Sequence, residues 1–589
     1  MILQALKEYY DRKAADPESG IAPLGWEKKG IPFLFVINKD AEFVHVEDTR
    51  EEKDKKLVSR TYLVPQSVKR SSGVLSNILW DNIEYVFGIP SPKRDLKKAG
   101  ERILARVKEE HSKFLEKLEP YRQIPAVSVL LSFLQRSDLE EIILKCPEWE
   151  EISKSDAFVS FRLVGAEEPI FRDKEFCERY EKNLSEGSQD VQKMMGRCLV
   201  TGKRDAIETL HQSIKGVFDA NSRGAKIISF NFDAAGSFGK KQGANSPVGK
   251  VAAFAYTTAL NTLLAKDSRQ KLGVGDATVV FWSSRSSVLE TGLLGILEDD
   301  DNPDALTKNV SMLFQSIQSG KYAEDEGKTR FYVLGLSPSV ARLSVRFWYQ
   351  GTVSEMAGRF RDWFEDLRIV HGEKLPEHCS LKRLLVSIAQ DNKFKNIPPS
   401  LAGNLVRAIL AGVALPETLL LSALVRIKAT QGNVSYERAK IIKAFINRKI
   451  RSSHLKTKEI GIMLDKENEN IGYRLGRLFA VLEKIQKEAM PGVNATIRDR
   501  FYASASATPA VVFGTLMRLK NYHLSKLDKE GSKIFYEGLI GEILYRSQNQ
   551  RGVSRFPAHL SLVDQGMFAL GFYHQQQDFY TKKSVSTEE

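Results

Sequence analysis

The stretch that organises this chain is Ile227–Val251, with the sequence IISFNFDAAGSFGKKQGANSPVGKV. Its apolar start, at Ile227, Ile228 and Phe230, predicts a buried strand. A polar loop with four glycines follows. The chain then continues as the apolar run AAFAYTTALNTLL, which predicts a helix. We therefore expect a strand, a glycine-rich loop and a helix in this order.

The glycine-rich loop has the composition of a nucleic-acid contact. Glycines expose backbone N–H groups and allow close approach to a ligand, while lysines add charge and amide side chains add paired donors and acceptors. This mixture suits a phosphate backbone and a base edge better than a small apolar substrate. The alternative is a flexible, solvated loop. The candidate contacts are Asn231, Gly236, Ser237, Gly239, Lys240, Lys241, Gln242, Gly243 and Asn245.

Nucleotide hydrolysis does not fit the spacing of this loop. A Walker loop needs G-x-x-x-x-G-K followed by serine or threonine. Five residues separate Gly243 from the Gly249–Lys250 pair, one more than the motif requires. Val251 then stands where a hydroxyl group would coordinate magnesium.

A second basic loop, 63–88, has the sequence LVPQSVKRSSGVLSNILWDNIEYVFG. Its basic pair supplies charge, and the serines and glycine supply hydrogen-bonding groups on a bendable backbone. Apolar neighbours such as Leu79 and Trp80 would hold the loop still. An ordinary basic surface turn is the alternative. The candidate contacts are Lys69, Arg70, Ser71, Ser72, Gly73 and Asn77.

The composition points to a polyanionic partner. The chain has 589 residues and a net charge of +13, which favours nucleic acid first and a membrane surface second. No uninterrupted apolar run reaches membrane-spanning length, and the first residues do not form a secretion signal. We therefore expect a cytoplasmic protein with no membrane partner. The cysteines, at 146, 177, 198 and 379, lack C-x-x-C spacing, so we expect reduced thiols, no metal and no cofactor.

Catalysis finds little support in the sequence. The nine histidines are scattered and form no set with a nucleophile and an acid. Asp299, Asp300 and Asp301 raise the possibility of a metal-dependent nuclease, but DDDNPD is a turn-forming composition. We expect no catalytic residue and no enzyme activity. Two other functions are considered for the chain. One is a free-standing RNA-binding protein, and the other, with weaker support, is the metal-dependent nuclease.

The pattern along the chain predicts an α+β fold, with mixed α/β N-terminal and middle regions followed by an all-α helical bundle. Basic residues of the last region, including Arg474 and Arg477, would give the bundle a charged outer face. Such a face usually serves solubility, and nucleic-acid contact is the alternative. Predicted strands are Ile31–Val36, Glu42–Val46, Ala157–Val164, Leu199–Thr201, Thr278–Trp282, Phe331–Leu336 and Leu343–Tyr349. Predicted domains are 1–125 with loop 63–88, 126–351 with loop 230–250, the helical domain 352–460 and the C-terminal bundle 461–589.

Several segments, in order along the chain, resemble the large-subunit family of the type I-C CRISPR surveillance complex, Cascade (the Csd-type, Cas8-class family). They are MILQALKEYYDR, SGIAPLGW, VKRSSG, ILWDNIEYVFG, CLVTG, LHQSIKGV, ISFNFDAAGSFGKKQGANSPVGKVAAFAYTTALNTLL, GDATVVFWS and GYRLGRLFAVLEKIQ.

This resemblance implies a non-enzymatic subunit that binds crRNA, inspects double-stranded DNA for a protospacer-adjacent motif and helps R-loop formation. Base pairing with the guide then reads the long sequence. The implied partners are the crRNA, the target duplex, the Cascade backbone and crRNA-processing subunits, a helicase–nuclease and a separately translated small subunit. Met463 is the candidate internal start of that small subunit. Loop 63–88 would share motif reading with loop 230–250 or grip the crRNA 5′ handle.

Overall fold

The computed structural model describes residues 1–53, 55–70, 73–94, 96–186, 194–230, 232–274, 277–297, 328–398, 400–453, 457–545 and 555–580. The predicted contacts Ser71, Ser72 and Asn231 lie outside these residues, as do Asp299, Asp300 and Asp301. The chain divides into two units. The first unit is Met1–Ile214 with Lys226–Thr262, and the second unit is Lys215–Ala225 with Leu263–Glu589.

The first unit mixes short strands with helices. Its strands are β1 (Trp26–Gly30), β2 (Phe33–Ile37), β3 (Phe43–Asp48), β4 (Arg50–Lys53), β5 (Lys56–Ser59), β6 (Thr61–Pro65), β7 (Asp81–Asn82), β8 (Phe158–Leu163), β9 (Met195–Arg197) and β10 (Arg204–Ala206). Its helices are α1 (Ile2–Ala14), α2 (Ile83–Phe87), α3 (Leu96–Leu118), α4 (Pro125–Leu134), α5 (Leu139–Leu144), α6 (Trp149–Ser155), α7 (Lys174–Glu186) and α8 (Lys250–Leu263).

The main sheet of the first unit has the order β3-β2-β8-β7. Strand β2, FLFVI, is buried at every position, as expected for a central strand covered on both faces. It pairs in parallel with β8, where Phe35 lies opposite Phe161. The strands predicted at Ile31–Val36, Glu42–Val46 and Ala157–Val164 are therefore present.

The second unit contains a four-stranded antiparallel sheet in the order β11-β12-β13-β14, followed mainly by helices. Its strands are β11 (Lys271–Val274), β12 (Ala277–Ser283), β13 (Arg330–Ser339) and β14 (Arg342–Thr352). Its helices are α9 (Val288–Leu297), α10 (Val353–Leu367), α11 (Leu381–Ile388), α12 (Leu401–Ala411), α13 (Glu417–Ala429), α14 (Tyr436–Ser452), α15 (Ile471–Ala489), α16 (Ile497–Ala507), α17 (Pro509–Ser525), α18 (Glu530–Tyr545) and α19 (Leu562–Tyr580).

Helices α15 and α19 approach each other closely because glycines line their contact. A Cβ atom at Gly476 would lie 2.0 Å from the carbonyl oxygen of Phe568, and one at Gly571 would lie 2.1 Å from that of Tyr473. The Tyr473 hydroxyl lies 2.8 Å from His574 Nδ1 across the same contact. Sheet and helices of this unit share one hydrophobic cluster, which runs from Leu272 to Tyr573.

The α+β prediction is confirmed, but two predicted strands are wrong. Ile227–Phe230 is half-buried and irregular, because no strand among the described residues pairs with it and takes up its backbone hydrogen bonds. Leu199–Thr201 is the turn between β9 and β10: the Gly202 N–H donates to Cys198 at 2.8 Å, and Gly202 has a φ of 71°. Within the described part of the chain, no helix has the length and apolar character needed to cross a bilayer.

Candidate nucleic-acid interface

Glu208 joins the two loops that the sequence singles out. Its carboxylate lies 3.0 Å from Lys69 Nζ, in the basic loop 63–88. Its backbone faces Gly243 of the glycine-rich loop, where an added Cβ would lie 2.2 Å from the Glu208 carbonyl oxygen. The Gly243 N–H donates to the Thr209 carbonyl at 3.2 Å. The segment 208–209 therefore contacts both loops.

The end of the glycine-rich loop is fixed by strand-like pairing. Gly249 bridges to Ile207, and the Glu208 N–H donates to the Val248 carbonyl at 2.8 Å. A Cβ at Gly249 would lie 2.1 Å from Asp205 Oδ2, so glycine allows this close approach. Helix α8 begins at the next residue. The loop therefore returns to a rigid base immediately before the helix.

The tip of the glycine-rich loop is exposed and polar except for one aromatic ring. Phe238 is 98% exposed and has a φ of 56°, in the left-handed region that non-glycine residues rarely adopt. Lys240, Lys241 and Gln242 follow, and all three are exposed. Within five residues the tip thus offers an aromatic face, two positive charges and an amide group.

Other predicted contacts in this loop shape it. Asn245 Nδ2 donates to the carbonyl of Lys240 at 3.4 Å and to that of Gln242 at 3.1 Å, which closes the turn. Gly236 is exposed, and its N–H donates to Asp233 at 2.8 Å. Gly239 has a φ of 70° in open space. Ser237 belongs to a short 3-10 turn with Phe238 and Gly239.

The basic loop 63–88 is held by its own polar groups. Arg70 Nε donates to the Leu75 carbonyl at 2.7 Å, its Nη2 pairs with the buried Asp81 carboxylate, and its guanidinium lies 4.0 Å from the centre of the Tyr85 ring. Asn77 is buried, and its Oδ1 accepts the Val68 N–H at 3.0 Å. Both side chains therefore stabilise the loop. Gly73 is exposed, with a φ of 80° and open space around it.

The pKa of Lys69 responds to burial and to other charged side chains. Burial lowers the pKa of Lys69, and Lys226 and Lys250 lower it further by repulsion, while Glu208 opposes both effects. His211 lies within the same electrostatic environment: burial first, and then Lys69 and Lys226, lower its pKa to about 4. The imidazole is therefore neutral at pH 7. Its Nδ1 contacts the Tyr256 hydroxyl at 2.6 Å.

Arg477 lies inside the helical packing, not on the predicted charged outer face, and Arg474 is part-buried. Arg477 is 1% exposed and pairs with Glu542 at 3.0 Å, while its Nε donates to Gln575 at 3.1 Å. Arg474 Nε donates to the Ile543 carbonyl at 2.9 Å near the end of α18. These contacts join α15 to α18 and α19, so both side chains contribute to helix packing.

Sequence reasoning missed Glu208, Lys226, Lys250 and Phe238. The position of Phe238 between Ser237 and Gly239, in a polar stretch, was a usable signal for an exposed ring. The partners of Lys69 gave no signal, because they lie far from it along the chain. Among the described residues, no group of three or more histidine, cysteine or acidic side chains could hold a metal ion.

The two loops together present lysines, one exposed aromatic ring and one exposed amide group. A family model described as CRISPR-associated protein (Cas_Csd1) matches residues 6–580. No curated protein matches the chain. Because the family match spans nearly the whole chain, the protein belongs to the CRISPR-associated Cas_Csd1 family, the type I-C Cascade large-subunit family that its sequence resembles.

Proposed function

We propose that this protein is the non-catalytic large subunit of a type I-C surveillance complex and reads the protospacer-adjacent motif with the glycine-rich loop. It binds crRNA and the target duplex, promotes R-loop formation, and contacts the backbone and crRNA-processing subunits. It also recruits a helicase–nuclease and is accompanied by a small subunit translated from Met463. Family membership supports the assignment to the complex.

The observation that carries the motif-reading role is the exposed tip on a fixed base. Gln242 presents an amide that can accept and donate at a base edge, and the narrow minor groove admits a glycine-rich backbone. The neighbouring Lys240 and Lys241 are exposed and supply the positive charge that contacts phosphates. Phe238 offers a ring that can stack on an unpaired base, an interaction worth about 1–3 kcal/mol.

We assign exposed side chains to nucleic-acid contacts, and side chains that are bonded within the protein to the structure of the loops. Gln242 contacts bases, Lys240 and Lys241 contact phosphates, and Gly243 and Asn245 keep the loop in shape. Arg70 and Asn77 keep the neighbouring loop in shape, and Lys69 carries its charge. Duplex opening then needs no bond-breaking chemistry from this chain, because guide pairing replaces the separated base pairs.

The test is DNA binding by the reconstituted complex to a panel of motif variants. Gln242→Ala should weaken binding to the correct motif by about 1–3 kcal/mol and leave wrong motifs almost unchanged. The double variant Lys240→Ala/Lys241→Ala should weaken all duplexes alike and reduce the salt slope by about two.

A matched control is Lys393→Ala/Lys395→Ala, which removes the same charge from exposed positions of the second unit. Equal losses for the two double variants would assign the effect to net charge. Unchanged motif preference in Gln242→Ala would refute motif reading by this loop.

A further inference from the structure

The segment Lys215–Ala225 presents an exposed aromatic ring in the middle of a tight turn. The Ala220 N–H donates to the Val217 carbonyl at 3.2 Å, which closes a four-residue turn. Phe218 and Asp219 are its two central residues. Phe218 is 63% exposed, and Asp219 has a φ of 59°, a conformation that aspartate adopts more often than most residues. The turn itself therefore presents the ring to solvent.

The backbone that carries this ring is fixed within the second unit. The Phe218 N–H donates to Oγ1 of Thr278 at 2.8 Å, and Thr278 is buried on β12. At Gly216 an added Cβ would lie 2.3 Å from the Leu264 carbonyl oxygen, and the φ of 85° there favours glycine. Val217, between these two anchors, is buried. Because the ring lies on a preorganised backbone, a ligand loses less affinity to ordering of the chain.

The groups beside Phe218 are polar and mainly cationic. A second turn, 221–224, follows directly. Its closing N–H···O distance is 2.8 Å, and its central residue Arg223 is exposed. In this segment the exposed cations Lys215 and Arg223 outnumber the carboxylate of Asp219 two to one. The adjoining loop 265–269, which follows Leu264, also carries two exposed cations and one exposed carboxylate, namely Lys266, Arg269 and Asp267.

One ring among polar groups suits a nucleotide base better than a protein surface. Protein interfaces rest on contiguous apolar patches, whereas one ring with one cation matches the repeat of a single strand, which offers a base and a phosphate at every nucleotide. The exposed residues that accompany Phe218 in its two turns are Asp219, Asn221, Ser222 and Arg223. The surroundings of the ring therefore favour base stacking.

We propose that Phe218 stacks on one unpaired nucleotide base and that Arg223 contacts a phosphate of the same strand. This inference rests on the proposed function, because strand separation and guide binding both provide unpaired bases. It adds a site on the second unit, whereas the motif-reading loop belongs to the first unit.

The experiment measures binding of the full chain to single-stranded oligothymidine and to the same strand with abasic positions. Phe218→Ala should weaken binding to the intact strand about tenfold, within the range for one base–aromatic stack. Phe218→Tyr should bind as wild type does, because it keeps the ring. Phe218→Leu should lose as much as Phe218→Ala, because it keeps only apolar surface. On the abasic strand all four proteins should bind equally.

Phe535→Ala is the matched control, because it removes another exposed ring, on α18 of the same unit. This variant should bind as wild type does. Arg223→Ala should reduce the salt slope by about 0.7, the value for one phosphate contact on a single strand. The same series with oligouridine compares an RNA strand.

Wild-type binding by Phe218→Ala to both intact strands, full retention of binding in Phe218→Leu, or an equal loss on the abasic strand would overturn the stacking site. An equal loss in Phe535→Ala would overturn it too. A wild-type salt slope in Arg223→Ala would overturn the phosphate contact. A loss with oligothymidine identifies an opened DNA strand as the source of the base, and a loss confined to oligouridine identifies the guide; either supports the site.

Failure of this site and failure of the proposed function give different results. The loss in Phe218→Ala should persist in a Phe238→Ala background, because the two rings belong to different units. Motif preference of the assembled complex is scored separately, on Gln242→Ala. Phe218→Ala should keep that preference, and loss of it would overturn the assignment of Phe218 to a separate site.

Discussion

Gly243 packs against the backbone of Glu208 so closely that a Cβ atom there would lie 2.2 Å from the Glu208 carbonyl oxygen. The same Cβ would lie 2.9 Å from the Thr209 Cα atom. Both obstacles are backbone, which cannot rotate away as a side chain can. The base of the glycine-rich loop therefore depends on glycine at this position.

Gly243→Ala should push the glycine-rich loop away from the backbone of residues 208–209 and destabilise this contact by about 1–3 kcal/mol. We expect faster hydrogen exchange in residues 240–250 and weaker discrimination between motifs by the assembled complex. Gly273→Ala is the control, since an added Cβ there meets nothing within 4 Å. Unchanged exchange in Gly243→Ala would contradict the close contact.

Arg70→Met should destabilise the first unit by about 2–3 kcal/mol. The buried Asp81 carboxylate would lose its ion-pair partner, and the cost stays below that of a fully buried pair because Arg70 is partly exposed. The measurement is chemical unfolding followed by fluorescence. Adding Asp81→Asn should restore part of the loss, because the amide needs no counter-charge. No recovery in the double variant would mean that other contacts dominate. These are the Arg70 contacts with Leu75 and Tyr85, and the backbone N–H groups of Asn77 and Asn82 that the Asp81 carboxylate accepts.

Gly476→Ala should destabilise the second unit by about 1–3 kcal/mol, because overpacking forces α15 and α19 apart. Gly514→Ala makes the same change in α17, where nothing lies within 4 Å of the added Cβ. It should stabilise the protein by about 1 kcal/mol through helix propensity. Opposite shifts in thermal midpoint are the expected result, and equal shifts would refute the close helix contact.

Stability should fall as the pH drops from 6.5 toward 4. Burial lowers the pKa of His211 and His378 to about 4, and that of His574 to about 3, from the ordinary value of 6.5. Below pH 6.5 the unfolded chain binds protons that the folded chain does not, which costs about 1.4 kcal/mol per pH unit for each histidine.

Thermal midpoints measured between pH 7 and pH 5 should therefore decline, and His211→Gln should make the decline less steep. The exposed His559 offers the control variant His559→Gln, which should keep the wild-type pH profile. Parallel profiles for all three proteins would show that His211 takes no part in the acid sensitivity.

The sequence predicted the strands with clear apolar runs and the helices of the second unit, because burial imposes a readable period on them. The run Ile227–Phe230 has the same apolar character but no pairing partner, and sequence alone does not reveal partners. The predicted outer-face position of Arg477 is wrong for a related reason. A basic residue on a predicted helix is expected to be exposed. Arg477 is nevertheless buried, with Glu542 and Gln575 as its partners.

In the candidate interface, the sequence located both loops but not their junction. Lys69 and Glu208 are far apart in the chain, so their pairing is a property of the fold. Gln242 and Asn245 look equivalent as amides, and hydrogen bonding separates them, since Asn245 closes the turn while Gln242 is exposed. The role of each amide therefore depends on the hydrogen-bond partners that the fold brings close to it.

The glycine-lined contact between α15 and α19 also affects how the chain folds during synthesis. Tyr473 and His574 are 101 residues apart, so α15 leaves the ribosome long before α19 exists. At about 5–20 residues per second, its partner follows roughly 5–20 s later. Throughout that interval the glycine face of α15 lacks the helix that covers it in the folded chain, so this contact stabilises nothing until α19 has been synthesised.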